Sequence, residues 1–197
     1  VTSYASRTML DRPSAERSEV TVERMEAAGP IRMGRTNLPA FALQGYTDSK
    51  QFGPACNPWG LEWSPGGSSG GSAAALAAGL APIATAGDGG GSIRTPAAFC
   101  GLAGLKPTNG LVGRRPIPSW MDYSTQGPLA AGIEDVKLLL HVMRGPTDGD
   151  PTAAPSWQYG GGMPRRVLAA PRTRNVGPLP EDVEGPFRAA LSAIEGE

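Results

Sequence analysis

Two serines in separate glycine-rich loops are the residues of this chain best suited to chemistry. Ser68 lies in S-P-G-G-S-S-G-G, residues 64–71, and Ser92 in D-G-G-G-S-I-R, residues 88–94. Glycine lets backbone approach a ligand closely and take up positive φ, so the two loops point to a site built partly from backbone N–H groups, which suits an oxyanion. An alcohol is a poor nucleophile at its free pKa and needs a neighbouring base. The single histidine, His141, sits in I-E-D-V-K-L-L-L-H-V-M. There Val136, Leu139, Leu140 and Met143 make an apolar stripe at helical spacing, which leaves His141 beside Glu134 and Lys137 on the polar face. A solvated surface histidine argues against a Ser-His-Asp triad. The nucleophile-elbow pattern G-x-S-x-G fails as well, because position 94 is Arg94. A lysine kept neutral by burial or by neighbouring charge is another type of base. The three lysines are Lys50 in a polar loop, Lys106 in the G-L-K-P-T turn, and Lys137 on the polar face of the late helix.

The elements that must position these serines follow from periodicity. Residues 72–81 read as an alanine-rich helix, apolar nearly all round and so buried, and residues 82–86 as the strand that delivers Asp88 and the second loop. A Gly/Ser linker would not interleave such patterns. A phosphate-binding loop is disfavoured too: G-x-x-x-x-G-K-[ST] is absent, and neither serine loop has the G-x-G-x-x-G strand-turn-helix context with a ribose-binding acid at the right distance. Residues 18–28 read as a helix with Val22 and Met25 on one face, closed by Gly29, and residues 31–34 as a strand. Trp59 and Trp63, just ahead of the first loop, read as core, with the lining of an acyl pocket as the alternative. The helix 133–143 stops at Gly145-Pro146, and 146–164 reads as an exposed connector. R-R-V-L-A-A-P, residues 165–171, reads as a strand, and residues 180–195 as a last helix broken or started by Pro186. Alternating helix and strand signals give an α/β fold class.

The wording of 64–108 resembles the amidase signature family, the Ser-Ser-Lys amide hydrolases, strongly over about residues 30–130 and more weakly elsewhere. The resemblance implies a central mixed, twisted β-sheet covered by helices on both sides. It implies that Ser92 attacks the carbonyl, and that Ser68, held after a cis Gly67–Ser68 peptide, passes protons within about 2.6–3.5 Å of it. The N–H groups of Gly89, Gly90, Gly91 and Ser92 would form the oxyanion hole, loosened by Gly89, where many relatives carry a β-branched residue. Asp88, Arg94 and Ser69 are expected in support, with Asp88 and Arg94 as a buried charge network that holds the loop. In the family the catalytic lysine lies well ahead of the first loop, before the stretch matching V-T-S-Y-A-S. The expectation is therefore one partial amidase domain over 1–197, an internal fragment lacking its lysine. Arg35 stands where many relatives have lysine, though not the catalytic one, and arginine does not deprotonate. The implied reaction is hydrolysis of a small-molecule carboxylic amide, with no metal or organic cofactor because backbone donors stabilise the oxyanion. The alternatives are the A subunit of a glutamyl/aspartyl-tRNA amidotransferase and a non-catalytic pseudoenzyme.

Composition sets the outer bounds. With 18 basic and 18 acidic side chains the formal net charge is zero, which gives no support to a nucleic-acid or anionic-membrane partner. No apolar run approaches the roughly 18 residues of a membrane span, and no signal peptide is visible. The expected compartment is cytoplasmic, with a homodimer left open. Cys56 and Cys100 lack metal-ligand spacing, so no metal site is expected and both read as buried thiols.

Overall fold

The structure, a computed structural model, describes residues 16–115, 120, 122–154 and 177–195. The chain forms two compact units, 1–157 and 158–197. In the first, α1 (Val20–Ala28) is followed by a single 3-10 turn at Ala40–Ala42, then by the two-residue strands β1 (Asp48–Ser49) and β2 (Gly53–Pro54). Next come α2 (Gly70–Ala77), β3 (Ile83–Asp88), α3 (Arg94–Cys100), β4 (Ala103–Gly104), β5 (Thr125–Ala130) and α4 (Ile133–Met143). The described part of the second unit contains α5 (Glu181–Glu195), which runs through Pro186 and carries an Arg188–Glu184 pair one turn apart.

The architecture is mixed α/β. β5 is the centre of a three-stranded sheet in the order β3-β5-β4, antiparallel to both neighbours, and parallel pairing enters at the single bridge Val112–Gly145. Because successive strand residues face opposite sides, β3 divides its side chains between two cores. Ala84 and Ala86 face the cluster of Ala73 and Leu76 from α2, Ile93, and Ala97 and Cys100 from α3, with Leu129 opposite Ala84 across the ladder. Ile83 faces the other cluster, built from Val112 and from Leu139, Leu140 and Met143 of α4. Helices therefore cover both faces, and α2 and α3, which adjoin the two serine loops, share one of them.

The stripe expected on α4 is buried in full, and His141 is exposed. Glu134 and Asp135 in the first turn complement the helix dipole. α1 ends where Gly29 turns left-handed, at φ 91°. Its fully buried residues are Val20 and Thr21, whereas Val22 is half-buried. The α4-facing side is Thr21, Arg24 and Met25 at i, i+3 and i+4, since Arg24 donates to the carbonyls of Met143 (2.6 Å) and Pro146 (2.7 Å) and so caps α4.

Four expectations are corrected. Residues 31–34 are irregular, with Ile31 90% and Met33 74% exposed, and no strand among the described residues pairs with them. α2 starts at Gly70 and ends at Ala77 rather than spanning 72–81, since Gly79 turns left-handed at φ 70° and bonds back to Leu76. Trp59 and Trp63 are exposed rather than core; the Trp59 indole N–H is satisfied by the Cys100 carbonyl at 2.9 Å while its ring faces water. Cys56 is exposed, so only Cys100 is a buried thiol.

Within the connector expected over 146–164, residues 146, 148, 149 and 151 are exposed, while part of the backbone is tied to the rest of the unit. Asp150 is buried and accepts the N–H groups of Arg114 and Thr152, and Ala154 N–H donates to Gly110. Proline, glycine and aspartate signalled irregular backbone there, which tertiary hydrogen bonds then tied down. Residues 155–164 and the strand expected at 165–171 lie outside the described residues.

Candidate functional site

The second serine loop is shaped by one carboxylate. Asp88, the last residue of β3, is fully buried. Its Oδ1 accepts the Gly91 N–H at 2.7 Å and Arg94 Nη2 at 2.9 Å. Its Oδ2 accepts the Ile93 N–H at 3.1 Å and Arg94 Nε at 2.9 Å, with the Arg94 N–H at 3.4 Å. Burial by itself raises the pKa of this carboxyl. The Arg94 side chain, the Gly91 and Ile93 N–H groups and the Arg94 charge outweigh that, so the pKa is held below the usual aspartate range. Arg94 is in turn raised, chiefly by its bond to Asp88.

One of the four N–H groups expected in the oxyanion hole has an acceptor within the protein. The Gly91 N–H is committed to Asp88, so of the four expected donors it shapes the loop, and Gly89, Gly90 and Ser92 are left as candidates. From below, Ile93 is wholly buried among Leu129, Gly104 and Gly127. A Cβ on Gly127 would sit 2.8 Å from Ile93 Cδ1 and 2.3 Å from the Leu105 carbonyl, so no larger residue fits there. Ile93 plugs the core while Ser92, its neighbour, is half-buried.

The first serine loop is held by a residue that the sequence did not single out. Thr47 is 2% exposed; its hydroxyl donates to the Gly66 carbonyl at 2.9 Å and accepts the Gly70 N–H at 3.1 Å. Ser69 precedes α2 without a side-chain capping bond, so Thr47 satisfies one of the helix's orphan donors from a distant loop. Gly67 and Gly71 are required by close approach. A Cβ on the first would lie 2.6 Å from the Tyr46 carbonyl, and on the second 2.2 Å from that of Asn37. The Gly67–Ser68 peptide is cis and Ser68 is buried.

The two loops meet. Ser69 N–H donates to the Ser92 carbonyl at 3.3 Å, and Ser69 Oγ reaches the Gly87 carbonyl at 3.4 Å. Ser72 extends the seam with a bond to Thr85 O at 3.4 Å, and Cys100 Sγ contacts Pro65 O at 3.7 Å. Ser68, Ser69, Asp88, Gly89, Gly90, Gly91, Ser92 and Arg94 thus belong to one pair of adjoining loops. His141 does not join them, being exposed on α4 across the sheet. Lys137 is exposed on α4 and paired with Glu134 at 2.6 Å, and Lys50 is exposed beside β1. Lys106 is half-buried between Leu105, whose N–H bonds to Pro128, and Pro107. Among the described residues no cluster of three or more His, Cys, Asp or Glu could hold a metal ion.

Thr47 was missed because a threonine in G-Y-T-D carries no periodic or motif signal. Arg114 was missed for the same reason. Buried with Asp150, it donates to the Ser124 carbonyl at 2.6 Å and to the Thr152 hydroxyl, and so fixes the turn leading into β5.

A fold with two serine loops joined across one sheet edge has clear relatives. The Amidase family profile matches residues 1–194, and the chain belongs to that family. It is 47% identical over 136 residues to the A subunit of the glutamyl-tRNA(Gln) amidotransferase of Methanosarcina mazei, covering 68% of this chain and 29% of that protein. The solved 6-aminohexanoate cyclic dimer hydrolase superposes with a TM-score of 0.74 at 38% identity, over 80% of this chain and 34% of that one. The peptide amidase of Stenotrophomonas maltophilia superposes with a TM-score of 0.71 at 37% identity, over 84% of this chain and 34% of that one. The chain therefore spans about a third of the length of the relatives it matches.

Proposed function

We propose that this chain carries the serine loops of an enzyme that hydrolyses a small-molecule, non-peptide carboxylic amide through an acyl-enzyme on Ser92. The observation that carries the reading is the Ser69–Ser92 main-chain bond, which sets Ser68 beside the loop of Ser92 although a helix and a strand separate them in sequence. Ser92 Oγ attacks the carbonyl carbon while its proton passes to Ser68. The oxyanion that forms is met by the N–H groups of Gly89, Gly90 and Ser92, in a loop whose curvature Asp88 sets through Gly91 and Ile93. Collapse breaks the C–N bond as a proton is returned through Ser68 to the leaving nitrogen, and water then attacks the ester to release the acid. Arg94 and Ser69 act as positioning residues. The relay ends on a base, and neither Lys137, paired on α4, nor exposed Lys50 is placed to serve. The family resemblance assigns that role to a lysine that none of this chain's three matches. No metal or organic cofactor has a part in this reading.

Labelling the complete gene product with a serine-reactive fluorophosphonate and locating the adduct by mass spectrometry tests the proposal. The adduct is expected on Ser92, lost in Ser92→Ala and slowed in Ser68→Ala. Preferential labelling of Ser68 would reverse the two roles.

The identity to the Methanosarcina mazei protein supports a second reading, in which the chain is part of an amidotransferase and works beside partner subunits. Co-purification with such partners would favour it, whereas turnover of simple amides by the isolated protein would favour the first. A non-catalytic pseudoenzyme is the reading left if no serine is labelled. No helix among the described residues is long and apolar enough to cross a membrane. A cytoplasmic homodimer is our proposal for the compartment and assembly, checked by fractionation and light scattering, and we propose no nucleic-acid or membrane partner.

A further inference from the structure

Gly89 opens the loop proposed to hold the oxyanion, and the space a side chain would take there is already filled. A Cβ on Gly89 would stand 3.1 Å from Trp120 Cε3, 3.6 Å from Ser124 Cβ and 3.7 Å from Ser124 Cα. The indole therefore lies against the Cα side of Gly89, three residues ahead of Ser92. It does not bury itself in doing so: Trp120 remains 54% exposed.

The backbone of Trp120 is also held. The Trp120 carbonyl accepts the N–H groups of Tyr123 (3.1 Å) and Ser124 (2.7 Å), which closes a turn. The next residue, Thr125, pairs with Asp88 across the β3–β5 ladder, and Arg114 donates to the Ser124 carbonyl at 2.6 Å. Arg114 and Asp150 are themselves buried, so the turn is anchored in the protein interior and its aromatic side chain is presented outward beside the serine loop. A flat apolar surface on a fixed base loses little conformational freedom when a ligand stacks on it.

We propose that Trp120 is a specificity-determining residue: its indole, seated over Gly89, is the wall on which the acyl group attached to Ser92 lies, and it favours planar aromatic acyl groups over small aliphatic ones. This rests on the assignment of Ser92 as nucleophile. With its carbonyl oxygen directed at the N–H groups of the 89–92 loop, the acyl substituent would extend along that loop toward the indole beside Gly89. Glycine at 89 is what allows the ring to sit so close, because even a methyl group there would meet it more tightly than ordinary van der Waals contact.

The test compares two fluorophosphonates, one bearing an ethyl group and one a phenyl group, by their rates of adduct formation at Ser92 in the complete gene product. In Trp120→Ala the phenyl-to-ethyl rate ratio should fall about tenfold from the wild-type value, the size expected for loss of an aromatic contact. Trp120→Phe, which keeps a ring, should retain most of the ratio. Adducts at Ser92 with a ratio unchanged in Trp120→Ala, or lost equally in Trp120→Phe, would overturn the role of Trp120 and leave the hydrolase reading standing. Absence of any adduct at Ser92 in the wild type would overturn both.

Discussion

Two buried aspartates of this molecule are built alike and exposed differently. Asp88 and Asp150 each accept backbone N–H groups and pair with an arginine, and each is held below the usual aspartate range: burial opposes ionisation, and the hydrogen bonds and the arginine charge outweigh it. The arginines differ. Arg114 is 2% exposed with its partner at 0%, so both charges have left water, whereas the Arg94 side chain is 56% exposed over an equally buried Asp88. A wholly buried pair staples distant segments together, here residues 114, 124 and 150–152. A pair with one solvent-facing member can shape a loop at the surface while leaving the loop accessible. The first arrangement serves the fold and the second serves the site.

The largest expected effect breaks the buried pair. Arg114→Ala would leave the buried Asp150 carboxylate without its counter-charge, and should destabilise the protein by about 3–5 kcal/mol, read by urea unfolding. A loss below about 1 kcal/mol would mean that Asp150 is solvated in practice and that the two pairs are equivalent.

Next comes Asp88→Asn. The amide cannot accept from Gly91, Ile93 and Arg94 together with a carboxylate's strength, so the loop that aims the N–H groups relaxes. Labelling of Ser92 should slow by about 10²–10³-fold, comparable to loss of an oxyanion donor, with a smaller change in stability than Arg114→Ala gives. Equal losses of stability in the two variants would erase the division of labour between the pairs.

The smallest effect sharpens the comparison. In Arg94→Ala, Asp88 keeps its N–H donors and the lost partner was half in water, so stability near neutral pH should fall by about 1 kcal/mol or less. The pH dependence separates the variants further. A depressed folded pKa stabilises the protein above the ordinary aspartate value of 3.8, and that stability is lost as pH falls through the folded value. The wild type should therefore lose this contribution only below about pH 4, and Arg94→Ala should lose it at a higher pH, since its Asp88 is less depressed. An acid-unfolding midpoint that stays in place would show that the backbone N–H groups alone hold Asp88 ionised.

The sequence by itself determined the local pieces of the site: the two serine loops, the strand that ends at Asp88, and α4 with its buried stripe and its outward His141. Each follows from short-range rules, glycine runs, period-2 and period-3.6 patterning, that need no knowledge of neighbours. The sequence also placed Asp88 and Arg94 together, because they are close along the chain. Apart from the approach of Ser68 to Ser92 that the family resemblance implied, it held no contact between segments far apart. Thr47 bonding to Gly66 and Gly70, Arg114 pinning Ser124, and the indole of Trp120 over Gly89 all join residues with no shared periodicity. The same gap explains the error at Ile31 and Met33, which looked like a strand but pair with none among the described residues, and nothing in the local pattern marked Asp150, within the expected connector, as buried beside Arg114. The assignment of Gly91 turned on a single 2.7 Å bond. A backbone N–H has one proton to direct, and only the folded chain decides whether it faces a carboxylate within the protein or the site outside it.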